Sequence, residues 1–137
     1  MSGHGPSTER HKINMDKSSE ERGIREAIAH YAGGMRTGSI ETLKRGFHEQ
    51  AILCGYLGDE LIAAPIVALY DWVGANPAPA ATGEPFDCEV IQIEVTNRVA
   101  TATVRETDHH GTVIDHFHLL KVSERWWIVS KLWDAEP

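Results

Sequence analysis

The pentad Ile-Asp-His-Phe-His, residues 114–118, sets a carboxylate and two imidazoles at alternating positions of a stretch otherwise made for burial. Three chemistries fit those residue types. A buried Asp115 is a candidate general acid or hydrogen-bond donor. His116 and His118, two apart on one strand face, can share a metal ion. An exposed row of all three is a solvated surface. Strand alternation forces a choice, because successive side chains point to opposite faces. With Asp115 inward, Val113, Phe117 and Leu119 accompany it as an apolar wall, and both histidines face out. With the histidines inward, a stable metal site still wants a third ligand, and His48 is the one obvious candidate. His109 and His110 read as a solvated turn. The reading adopted is Asp115 inward and no metal.

Two further residues bear on Asp115. Tyr31 lies on an apolar helical stripe, where it is either a core tyrosine whose hydroxyl finds one partner or a donor in a site. Lys131, on the strand expected beside Asp115, is either its structural mate or part of the same site. Strand parity groups Lys131 with Val129 and Trp133, and a bulge between the last two strands would reverse that grouping. His30 sits off the stripe and reads as surface. Trp126 and Trp127 are consecutive, so they project to opposite faces, and the one that leaves the core suggests a partner surface.

The elements that must position these groups follow from periodicity. Ser18 and Glu21 make a capping box, and Ile24, Ala27, Ile28, Tyr31 and Met35 recur at helical spacing. A second, shorter helix starts at the cap Ser39, with Ile40, Leu43 and Phe47 facing in. Residues 51–57 and 60–64 read as two short strands turned at Gly58-Asp59. Pro65 suits the first turn of a third helix, and the run Asn-Pro-Ala-Pro-Ala-Ala-Thr-Gly-Glu-Pro-Phe, residues 76–86, reads as one long irregular loop. Four strands rich in β-branched and aromatic residues complete the chain, joined by short turns at 96–98, 108–111 and 123–125. Short loops between successive strands make an antiparallel meander. Helices first and a meander second is an α+β order, with the helices on one face of the sheet.

Bulk properties narrow the function. The chain of 137 residues suits one domain, expected over residues 18–137 after a disordered lead at 1–17. A formal net charge of −7 argues against nucleic acid, which needs a basic stripe. No run is long enough for a membrane span. The two cysteines, Cys54 and Cys88, have no metal spacing and read as buried thiols of a cytoplasmic protein.

The order of helix, helix, hairpin, helix and four long strands resembles the nuclear transport factor-2-like (SnoaL-like) superfamily across residues 19–134. The stretches "GSIETLKRGFHEQAIL" and "FHLLKVSERWWIVSKLW" resemble its branch named "putative lumazine-binding". The resemblance implies a cone in which a curved antiparallel sheet wraps three N-terminal helices, leaving a pocket at the open end. Phe47, Tyr56, Tyr70, Phe117, Leu119, Lys131 and Trp133 are its expected lining. "AHYAGGMRTGSIETLKRGF" and "IDHF" are, more distantly, similar to bacterial ketosteroid isomerase. That similarity puts Tyr31 and Asp115 on the isomerase's oxyanion-hole tyrosine and aspartic acid, and Gly55 where its catalytic base stands. The expectation is a pocket for a hydrophobic, oxygenated small molecule, with Tyr31 and Asp115 as catalytic donors and no cofactor. Isomerase, dehydratase and cyclase chemistry all fit such a site. A non-catalytic ligand-binding protein or a dimerisation module is the alternative, and a homodimer through the sheet is expected in each case.

Overall fold

The computed structural model describes residues 6–137, with side chains from Lys17 onward; the lead expected over residues 1–17 lies largely outside the described side chains. Helix α1 (Pro6–Thr37) runs through Ser18, so that serine does not cap it. Its stripe Ile24, Ala27, Ile28 and Tyr31 is buried along one face. The helix ends at Gly38, whose φ of 76° lets its N–H reach back to the Gly34 carbonyl at 2.8 Å. Ser39 then caps α2 (Ile40–Gly46), its Oγ accepting from the Thr42 N–H at 3.1 Å as the sequence indicates.

Strand β1 (Phe47–Leu57) begins directly at Phe47, four residues earlier than the sequence reading placed it, and turns at Gly58 into β2 (Glu60–Pro65). Ile66 leads into α3 (Val67–Ala75). The stretch read as irregular loop holds a single-turn helix, α4 (Pro79–Thr82), with Pro79 in its first turn and left-handed Gly83 closing it. Proline there costs no hydrogen bond, because the first N–H groups of a helix have no partner anyway. Strands β3 (Phe86–Thr96), β4 (Val99–Asp108), β5 (Gly111–Val122) and β6 (Arg125–Ala135) follow in the expected places. Asn97, Ser123 and Glu124, all at positive φ, make two of the tight turns.

The fold is α+β, helices packed on a six-stranded sheet of order β2-β1-β6-β5-β4-β3. The sheet is mixed: β1 and β6 run parallel, and every other neighbouring pair is antiparallel. The last strand therefore sits at the centre of the sheet, between β1 and β5. The stripe of α1 meets the inner sheet face at Ala102, Val104, Phe117, Leu119 and Ile128, the centre of the core. A register shift between β5 and β6 lies at His118/Leu119, where Val129 is the extra residue. Ile128 and Lys131 consequently both face inward. His116 and His118 lie exposed on the outer face, Thr103 lying 3.5 Å from one and Ser130 2.9 Å from the other.

Candidate functional site

Tyr31 is wholly buried, its ring edge-on to Phe47 and Phe117 at centroid distances of 5.9 and 5.2 Å. Its hydroxyl donates to Oε1 of Glu106 on β4. Burial first, and then the charges of Glu106 and Asp115, hold this phenol well above its ordinary pKa, so it remains a proton donor. On β5, Asp115 pairs across to Val104 and stands diagonally beside Glu106 on the same face. It is fully buried as well.

Lys131 completes the cluster. Its Nζ lies 3.0 Å from Asp115 Oδ1 and is only 7% exposed as a residue. The ammonium also stacks on two rings, 4.2 Å from the centre of Trp133 and 5.7 Å from that of Tyr31. Neither Asp115 oxygen has a well-directed hydrogen bond among the described residues, so the contact with Lys131 is chiefly one of charge. Two carboxylates and one ammonium at close quarters leave an excess negative charge, which a low-dielectric site disfavours. Asp115 accordingly holds its proton more tightly than an ordinary aspartic acid. Burial pushes Asp115 up to about 7, Lys131 opposes the rise, and Glu106 adds to it. The lysine lowers this value without restoring the ordinary one, so an ion pair at Asp115 and a protonated acid there are close in energy near neutral pH.

The other expected lining residues divide. Phe47, Phe117 and Leu119 are buried on the inner side, and Trp133 is half-buried beside Lys131. Tyr70 packs against the core from α3, with the Lys44 ammonium 5.5 Å from its ring centre. Tyr56 does not join them. It stands on the outer face of β1, opposite Leu53 and Gly55, and is 46% exposed.

Gly55 has a packing reason. A Cβ there would lie 2.3 Å from Trp133 Cδ2 and 2.5 Å from the Trp133 carbonyl oxygen. The indole occupies the space that a side chain at this position needs, so no base can stand at Gly55.

Sequence reasoning missed Glu106. The signal was present: Ala100, Ala102 and Val104 alternate inward along β4, and Glu106 is the next residue of that row. Cys88 pairs with Glu106 across β3–β4, and burial with two neighbouring carboxylates pushes its thiol far up, which makes it a poor nucleophile. Among the described residues, no three His, Cys, Asp or Glu side chains gather as a metal site, and no helix is long and apolar enough to cross a membrane. Two open concavities lie elsewhere. One, about 440 Å³, separates α1 from the β5–β6 turn; the other, about 520 Å³, lies on the outer sheet face around Tyr56, His116 and Leu132.

Comparison with known proteins gives the family and the fold. The sequence profile of the family described as "Putative lumazine-binding" matches residues 19–134. A curated relative, the aldolase FrzH of Cladobotryum sp., is 26% identical over 107 residues, 78% of this chain and 84% of that protein. Nuclear transport factor-2-like proteins of unknown function give close structural matches. Those from Shewanella baltica and Methylobacillus flagellatus have TM-scores of 0.75 and 0.77 at 27% and 29% identity, covering 88% and 87% of this chain and 96% and 94% of theirs. One from Silicibacter pomeroyi, at 19% identity, has a TM-score of 0.78 and covers 88% of this chain and 98% of its own.

Proposed function

The chain belongs to the family described as "Putative lumazine-binding", within the nuclear transport factor-2-like superfamily, and on that premise we propose that it is an enzyme doing acid–base chemistry on a hydrophobic carbonyl compound. The observation that carries the reading is the buried cluster in which Tyr31 donates to Glu106 and the Lys131 ammonium lies 3.0 Å from the fully buried Asp115. Superfamily membership alone fixes no reaction, since one fold hosts many activities. The chemistry has to come from the side chains.

In this reading, Tyr31 and protonated Asp115 donate hydrogen bonds to a carbonyl oxygen, stabilising the charge that develops there when an enolate forms. Each such donor in a water-poor site is worth a few kcal/mol. Glu106, half-buried and already holding the tyrosine hydroxyl, is the candidate base for the adjacent carbon. An acid poised near 7 can give and take a proton within one cycle at neutral pH. The similarity to a relative named an aldolase supports enolate or enamine chemistry over hydrolysis. The family description supports a small-molecule ligand.

A second reading rests on the Asp115–Lys131 contact at 3.0 Å. If the pair is purely structural, the protein binds a ligand without turning it over. Deuterium exchange separates the two. Small hydrophobic ketones and aldehydes with α-hydrogens, incubated with the protein in D₂O and followed by proton NMR, exchange faster than in buffer on the enzymatic reading. Tyr31→Phe should then slow the catalysed exchange by about 10²-fold, the effect of removing one oxyanion donor. Exchange no faster than with an unrelated protein across the panel contradicts the enzymatic reading and leaves the binding one.

A further inference from the structure

We propose that Lys131 is an imine-forming nucleophile for aldehydes and ketones, a role that rests on the site reading above and names the covalent step within it. Four features carry the inference. Lys131 projects from the central strand of a six-stranded sheet, where hydrogen-bonded neighbours on both sides fix its position. Its amine is almost wholly withdrawn from solvent and flanked by the rings of Tyr31 and Trp133. A buried carboxylate, that of Asp115, lies 3.0 Å away. A second acid–base pair, Tyr31 with Glu106, adjoins the same carboxylate.

A structural role alone explains this arrangement poorly. A buried ion pair is no more stabilising than apolar side chains of similar volume, because desolvating the two charges costs as much as their attraction returns. Phe117 and Leu53, the register partners of Lys131, would pack readily against a leucine or methionine there. An amine, unlike a guanidinium, can be made neutral by such a neighbour and used as a nucleophile.

The step balances without an oxidant or reductant. Asp115 takes a proton from the Lys131 ammonium. The neutral Nζ adds to the carbonyl carbon, and the carbonyl oxygen receives a proton from Tyr31 or Asp115 to give a carbinolamine. The nitrogen gives up a second proton to the Asp115 or Glu106 carboxylate, and its freed lone pair then expels the hydroxyl group, which leaves as water after protonation by the same acids. One C–N bond forms, the C–O bond breaks, and a protonated imine remains to draw electrons from the neighbouring carbon. Glu106 stands where it can take the proton that carbon loses.

The test is reductive trapping on the full chain. The folded protein is treated with limiting benzaldehyde and cyanoborohydride at pH 7, and the labelled lysines are mapped by peptide mass spectrometry. Besides Lys131 the chain has Lys12, Lys17, Lys44 and Lys121 as internal controls. The expected result is labelling of Lys131 at least about 10-fold faster than of any other lysine, as activated nucleophiles require. Lys131→Arg, which keeps a cation beside Asp115, should lose that adduct and leave the slow labelling of the others unchanged. Labelling confined to the other lysines in the folded wild-type protein overturns the proposal, and this needs no variant to fold. If Lys131 stays unlabelled while catalysed α-proton exchange persists, the covalent step falls and the acid–base site stands.

Discussion

Asp115 carries a stability signature as well as a chemical one. In the unfolded chain its carboxyl ionises near 3.8, and in the folded protein near 7. Between those values folding takes up a proton, so the contribution of Asp115 to stability is fully present below about pH 4 and declines as pH rises through 7. The gap from 3.8 to about 7, at about 1.4 kcal/mol per pH unit, sets a ceiling of ~4 kcal/mol on the decline. Asp115→Asn should flatten this slope. Urea unfolding at pH 5, 6 and 7.5 checks it, and an unchanged slope in the variant contradicts the assignment. At this scale the sequence was informative about direction. Alternation put Asp115, Phe117 and Leu119 inward and both histidines outward, and helical spacing put Tyr31 on the buried stripe. Glu106 escaped notice because it follows Arg105, and only the inward row from Ala100 shows which of the two charges must turn in.

Elements set the fine geometry that residue types could not reveal. Lys131 and Trp133 face Asp115 because Val129 adds one residue to β6, and that register shift depends on pairing with β5 rather than on local sequence. The parallel pairing of β1 with β6 was likewise hidden, since no short loop joins strands so far apart in the chain. Tyr56 was misplaced for a simpler reason: an aromatic residue in a short strand reads as core, yet it alternates with Gly55 and so falls on the outer face. The contact of Gly55 with Trp133 gives a direct prediction. Gly55→Asp, which restores a carboxylate where the resembling isomerase has its base, forces the new side chain against a ring and a backbone oxygen. It should cost about 3 kcal/mol of stability, as overpacking does, and add no activity. Thermal denaturation at neutral pH measures this, and a variant as stable as wild type would show that the indole moves freely.

At the scale of the whole molecule, the described residues leave apolar side chains exposed on the outer face of the sheet. Ile52, Tyr56, Leu61, Leu120 and Leu132 are exposed together on the outer sheet face with His116 and His118. Trp127 lies there too, half-covered by the Arg125 guanidinium 3.8 Å from its ring centre. Exposed apolar side chains gathered on one sheet face mark an interaction surface. The expected occupant is a second copy of the chain, joined face to face through the sheet. Sedimentation velocity at about 20 µM should give a dimer, a concentration at which interfaces of standard size hold. A monomer under those conditions removes the sheet face from the account. Tyr56→Glu, placed on that face and away from Asp115, should give monomer with the inner cluster unchanged.

The inner cluster itself is tested most directly by titrating Asp115. Selective assignment of its side-chain carboxyl carbon and detection on carbon from pH 4 to 9 follow the proton without a substrate. The predicted midpoint is near 7, moving with Lys131→Met toward still higher pH as the attracting charge is lost. A midpoint at or below the ordinary aspartate value near 3.8 would mean a permanently ionised, salt-bridged acid, and the shared proton at the centre of this account would not exist.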